Sequence, residues 1–137
     1  MNLLNTVYQL ADLAVITNDN LEARINDEKF KEELKKQRLS YENIRDESIQ
    51  IYIKYGKDEK EVSTLEKIAS NITTLFRARQ EDNAKIAQYM GEEANKSILE
   101  LTKKISEENT SDEEILALAA KLKKVLTSTK KEVSRFL

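Results

Sequence analysis

Mostly apolar residues recur along this chain at alternating steps of four and three, a spacing that gathers them on one face of a helix. Leu3, Val7, Leu10, Ala14, Thr17 and Leu21 form the first stripe and predict a helix from about Leu3 to Ile25. Asn26 and Asp27 then break the pattern. Asp27 is a good N-cap, and Asn26 tolerates the left-handed conformation that ends a helix. A link this short makes the flanking helices antiparallel neighbours. The second stripe, Phe30, Leu34, Gln37, Tyr41, Ile44, Ser48, Ile51 and Tyr55, predicts a helix over about 28–55, with Gly56 placed to end it. Leu39, Ile49 and Ile53 project from its other side. The second helix is therefore apolar on two faces, and an element other than the first helix is expected to cover the extra one.

Beyond Gly56, Val62, Leu65, Ile68, Ala69, Ile72, Leu75 and Phe76 mark another apolar face, with Asp58 or Ser63 as caps and Ser63-x-x-Glu66 at capping-box spacing. The stripe fades through Arg77–Asn83 and resumes at Ile86, Met90, Ala94, Ser97, Leu101 and Ile105. One helix from Glu61 to Glu107 would run ~70 Å, far longer than its neighbours. A break is therefore expected near Arg79–Asn83, with Asp82 as the new cap. This makes residues 61–78 a helical crossover along the bundle, expected to cover the second face of helix 2. A third helix follows over about 83–107 and a fourth over about 112–136, opened by Ser111-x-x-Glu114. Ile115, Leu118, Ala119, Leu122, Val125, Leu126, Thr129, Val133 and Phe136 give the fourth the cleanest stripe of all. Gly91 falls inside the third helix, where close approach of a neighbouring helix is its expected reason.

The pattern is one all-α domain over 1–137: two antiparallel helices, a long crossover, then two more antiparallel helices. A four-helix bundle with one long crossover is the ferritin-like form. Composition supports the class. The 137 residues are 39% hydrophobic and 35% charged, with no Pro and two Gly, which argues against a β-rich or turn-rich chain. No apolar run approaches the ~20 residues of a membrane helix. The first residues lack the basic start of a signal peptide, and Asp12 interrupts their apolar stretch. A cytoplasmic location without a membrane is therefore expected.

The net charge of −2 offers no field to steer nucleic acid or an anionic surface. A local excess of cations occurs at Lys121, Lys123, Lys124, Lys130, Lys131 and Arg135, against Glu132 alone. Neither aromatics nor glycines accompany it, so it reads as a helix with cations near its negative dipole end, and nucleic acid is not expected as a partner.

The absence of Cys removes disulfides, thiol nucleophiles and thiolate metal sites. The absence of His removes the usual general base and imidazole-held metals. A ferritin-type di-metal centre takes a Glu from each of two helices and Glu-x-x-His from each of the others, and that arrangement cannot be built here. An all-carboxylate site would need acids pointing inward at matching heights. The stripes offer Thr17, Asn18, Gln37, Ser48 and Thr129 instead. Glu47 and Glu93, each on the flank of its stripe, are the nearest metal-ligand candidates, and they read more simply as solvated or partner-bound flank residues. Asn18, Gln37 and Tyr41 are expected to hydrogen-bond one another across helices 1 and 2 and fix their register. Tyr8, Tyr52, Tyr55 and Tyr89 are expected at core edges with wet hydroxyls. No catalytic constellation or cofactor is singled out.

The stretch NAKIAQYMGEEANKSILELTKKISEENTSDEEILALAAKLKKVL (83–126) and the terminal KKEVSRFL resemble the second half of a family of small bacterial ferritin-like proteins of uncharacterised function. The first half agrees in layout, with a helix beginning near NLLNTVYQLA and a second ending in YGK. The resemblance covers most of the chain and implies the ferritin-like fold. Its relatives more often keep Glu and His inside helices 3 and 4. Here Lys85, Gln88, Thr129 and Lys130 stand in that region, so no family metal ligand carries over.

Two functions are consistent with these observations. The leading one is a non-enzymatic bundle acting through a protein partner or a homodimer, with Leu39, Ile49 and Ile53 as the contact. The other is a ferritin-like protein that binds metal through carboxylates alone.

Overall fold

A computed structural model describes residues 2–56, 82–110 and 112–137, and among them every regular element is a helix. Helix α1 spans Asn2–Glu22, α2 Glu28–Lys54, α3 Asn83–Glu107 and α4 Glu113–Val133, followed by a 3-10 turn over Ser134–Phe136. The crossover expected over 61–78, its caps at Asp58 and Ser63, and Ser111 lie outside the described residues.

Local chemistry sets the helix ends. The Asp27 carboxylate accepts from the Phe30 amide, and that of Asp82 from the Ala84 amide, so both expected caps are in place. Helix α4 is opened by Asp112, whose Oδ1 accepts from the Glu114 and Ile115 amides at 2.9 and 3.1 Å. The capping-box spacing places that role one residue earlier. Gly56 ends α2 with φ of 66°, a left-handed conformation that costs glycine nothing. Close helix approach, the expected reason for Gly91, is not what the structure shows. A Cβ there would meet the Val133 Cγ2 at 3.8 Å, an ordinary contact, so crowding does not demand the glycine.

The pairings fix the helix directions. Tyr52 near the end of α2 donates to Asn5 at the start of α1, while Arg38 reaches Glu22, so α1 and α2 are antiparallel. Tyr55 donates to Asp112, Lys121 to Glu47, and Tyr41 pairs with Thr129, so α2 and α4 are antiparallel as well. Leu3, Leu4 and Leu101 share one apolar cluster, and Leu21, Ile25, Ile86 and Ala87 share another, which sets α3 against α1 in the opposite sense. Around the bundle the neighbours run α1, α2, α4, α3, and α1 also touches α4 across the centre. Consecutive helices α2 and α3 point the same way from opposite corners.

The core has two apolar clusters. The larger holds Leu3, Leu4, Val7, Tyr41, Ile44, Ile51, Tyr52, Leu101, Ile115, Leu122 and Leu126 among others. The smaller holds Leu21, Ile25, Phe30, Leu34, Ile86, Ala87, Met90 and Val133. Phe136, half-buried, closes the smaller one by stacking on Phe30, with centroids 4.4 Å apart and planes 6° from parallel.

Candidate functional site

Polar side chains are concentrated where the two clusters meet. Thr17 and Asn18 come from α1, Gln37 and the Tyr41 hydroxyl from α2, Ser97 from α3 and Thr129 from α4, and all are buried. Each sits on the inward stripe of its helix, so ordinary helical periodicity delivers all four helices' contributions to one region. The Tyr41 hydroxyl and Thr129 Oγ1 lie 2.6 Å apart. Burial pushes the Tyr41 phenol well above its ordinary value, with Thr129 partly offsetting this, so the ring stays neutral and able to donate. Asn18 Nδ2 donates to the Leu34 carbonyl at 3.2 Å.

This network differs from the expected one. Asn18, Gln37 and Tyr41 do not form a mutual set across α1 and α2. The long Tyr41 side chain crosses to α4, and Asn18 takes a backbone carbonyl that α2 presents to it. Gln37 is left over. It is 6% exposed, and neither its amide nitrogen nor its amide oxygen meets a partner among the described residues. Beside the network lies a cavity of about 30 Å³ between α1 and α3. Its wall is almost wholly apolar, from Leu10, Leu13, Met90 and Leu126 among others, although Thr17, Asn18, Tyr41, Ser97 and Thr129 also line it.

The two metal-ligand candidates stand apart. Glu93 lies at the edge of that cavity with its carboxylate 3.3 Å from Lys96. Glu47 lines a different cleft, between α2 and α4, and accepts from Lys121 at 2.7 Å. Among the described residues no three acids converge as a metal site would require. Tyr89 sits half-buried on the turn before Glu93, and its phenol is pushed up to about 12, first by burial and then by the Glu93 charge.

The tyrosines divide. Tyr52 is buried, donates to Asn5 and packs edge-on against Tyr8, so it belongs to the core and not to its edge. Tyr55 is exposed and donates to Asp112.

On the surface, Leu39 is 58% and Ile53 62% exposed, while Ile49 is half-buried on the flank nearer α1. The three therefore do not make one contiguous patch. Leu39 and Ile53 lie fourteen residues apart, ~21 Å along the helix at ~1.5 Å per residue. Exposed Asn43, Asp46 and Gln50 occupy the face between them. Of the cations in α4, Lys121 pairs with Glu47, Lys130 donates to Asn95 at 3.0 Å, and Arg135 pairs with Glu132 just after the helix. Lys130 and Lys131 occupy the last turn of α4, at its negative dipole end.

One pair was not anticipated. Asp12, 5% exposed, accepts from Arg45 at 3.3 Å across α1 and α2. In the sequence Asp12 reads only as an interruption of an apolar run. The usable signal was the only charged side chain before Asp19, opposite an arginine of the antiparallel partner helix. No described helix is long and apolar enough to cross a membrane. No family model, curated protein or solved structure matches this chain.

Proposed function

We propose that this chain is a non-enzymatic, ferritin-like helical bundle that works by binding another protein through the outward face of α2. The helix order supports the fold reading. Consecutive helices that run parallel on opposite corners call for one connection returning along the bundle, as in the ferritin-like form. The reading also keeps the cytoplasmic location expected from composition.

One observation carries the functional reading. The α2 face sets two exposed aliphatic side chains, Leu39 and Ile53, at either end of a polar stretch containing Asn43, Asp46 and Gln50. Two apolar anchors with a carboxylate and two amides between them fit a partner that offers apolar contacts separated by a cation and hydrogen-bonding groups. A symmetric antiparallel pairing of two such faces is disfavoured. Residue 46 is the midpoint of 39 and 53, so Asp46 would meet its own copy, carboxylate against carboxylate. The partner surface is therefore basic at its middle and unlike the α2 face.

A synthetic amphipathic helix tests this, with two leucines fourteen residues apart, a lysine midway and glutamines on either side of it. It should shift the NMR signals of 39–53 selectively and weaken with salt, whereas a peptide with aspartate in place of the lysine should not bind. Equal shifts from both peptides, or shifts that survive in a Leu39→Asp/Ile53→Asp variant, would refute the surface. Sedimentation velocity at low salt covers self-association. A salt-sensitive dimer abolished by Lys124→Glu/Lys131→Glu would make the basic partner the α4 face of a second copy.

A further inference from the structure

We infer that the partner of the α2 face is the outward face of α4 in a second copy of this chain, and that the two copies close into a dimer about a two-fold axis parallel to α2 and α4. The inference rests on the α2 face being a docking surface and names what docks there.

On α2 the exposed row Leu39, Asn43, Asp46, Gln50 and Ile53 advances by four, three, four and three residues. On α4 the exposed row Lys131, Thr127, Lys124, Ala120 and Ala117, read from its C-terminal end, descends by the same steps. Antiparallel helices meet in this way, row against row. The match sets Asp46 against Lys124, Asn43 against Thr127, Gln50 against Ala120 and Ile53 against Ala117, while Leu39 lies along the aliphatic stem of Lys131. The charges fit. Asp46 keeps 66% of its side chain exposed, with Arg45 of its own copy 3.8 Å away. Lys121 and Arg135 are taken by Glu47 and Glu132, but Lys124 and Lys131 enter no ion pair among the described residues.

The fold supplies the register. Tyr41 and Thr129 mark one level of the α2–α4 seam. The helices are antiparallel, so five residues forward along α2 and five back along α4 reach another common level, that of Asp46 and Lys124. The same count places Leu39 level with Lys131 and Ile53 level with Ala117. The pairs Lys54–Glu114 and Glu47–Lys121 keep this register to within two residues. A two-fold axis parallel to the helices leaves every level unchanged and turns α4 of the second copy to face α2 in the antiparallel sense. It also turns α2 of the second copy to face α4, so both contacts form at once and the assembly closes at two copies. Asp46 then faces Lys124 and not its own copy. The small side chains of Ala117, Ala120 and Thr127 let the helices approach. Little apolar area is covered, so the dimer is weak and salt-sensitive.

The test is sedimentation velocity on the intact chain at low salt, where a concentration-dependent dimer is expected that dissociates as salt is added. Asp46→Lys and Lys124→Asp should each abolish it, and the two together should restore it, because the exchanged charges again face each other. The chain has no cysteine, so Asn43→Cys and Thr127→Cys give a second reading. Under mild oxidation a mixture of the two variants should cross-link, and neither variant alone should. A chain that stays monomeric at every concentration while the lysine peptide still shifts the signals of 39–53 overturns the dimer and leaves the α2 surface standing. A dimer that the double exchange does not restore, or one in which Asn43→Cys cross-links with itself, overturns it as well. A monomer that the lysine peptide leaves unshifted overturns both readings.

Discussion

Between α1 and α2 two ion pairs are largely withdrawn from water, whereas those between α2 and α4 stand in it. In the first seam Asp12 is buried under Arg45, and Arg38 binds Glu22 at 2.7 Å with both partners mostly covered. In the second, Lys121 and Glu47 meet at the same 2.7 Å, yet each side chain keeps half its surface exposed. Equal distances therefore do not mean equal energies. Screening and side-chain entropy reduce an exposed pair to a fraction of a kcal/mol, while a buried charge that loses its partner has no solvent to fall back on. The α2–α4 seam is held instead by its neutral contacts, the Tyr41–Thr129 bond and the Phe30–Phe136 stack.

The sharpest way to break this contrast is Arg45→Ala. A fully buried pair that loses one member costs ~3–5 kcal/mol. Arg45 keeps 28% of its side chain in water, so a loss of about 2 kcal/mol in urea unfolding at neutral pH is expected here. Its pH dependence adds detail. Burial, the dominant influence, raises the Asp12 pKa above the ordinary 3.8, and Arg45 only partly counters it. A carboxyl with a raised folded pKa favours folding while protonated and loses that contribution as pH rises through the folded value. The Arg45→Ala deficit should therefore shrink on acidification in the region just above pH 3.8, and Asp12→Asn in the same background should flatten it.

Next comes Tyr41→Phe, which strands the Thr129 hydroxyl in the core and should cost about 1–1.5 kcal/mol. Thr129→Val should cost less than the sum implies when combined with it, because the second change removes a group already orphaned. A double-mutant cycle by thermal unfolding reads that coupling. Lys121→Ala should change stability by no more than ~0.5 kcal/mol, and less at high salt. A loss as large as that of Arg45→Ala would erase the distinction between the seams.

The smallest effect compares two aspartates of opposite sign. Asp112 is held below its ordinary 3.8, first by the Tyr55 hydroxyl and then by the Ile115 and Glu114 amides. Its contribution is present above pH 3.8 and fades as pH falls through the lowered value. Melting curves of Asp112→Asn should thus converge with the parent on acidification, whereas those of Asp12→Asn should gain on the parent as pH rises.

Several helix ends were legible in the sequence because caps are local, but α1 stops at Glu22 although its expected end was Ile25. Asp27, Asp82 and Gly56 act within a few residues of themselves, and the four-three spacing states which face is covered. The choice of Asp112 over Ser111 as cap turns on one residue among several good acceptors. The membership of the polar layer was legible for the same reason, since Thr17, Asn18, Gln37 and Thr129 already interrupt otherwise apolar stripes. Partner choice was not. Whether Tyr41 turns to α1 or to α4 depends on how two hairpins dock, and no spacing within either hairpin encodes that. Asp12 shows the same limit. Its burial is a property of α2 lying over it, and Arg45 lies 33 residues away in sequence. The spread of Leu39, Ile49 and Ile53 was partly legible, because helical angles separate Ile49 from the other two.

The bond between Tyr41 and Thr129 joins residues 88 apart, and it is the neutral clasp of its seam. On a ribosome that interval has a temporal meaning. The first hairpin emerges and can zip its own salt-bridged side long before α4 has been translated, so its inward tyrosine and the oily rows around it must wait uncovered. A nascent chain of this design is at its stickiest in the middle of synthesis, and slowing translation past α2 should lengthen its dependence on chaperones.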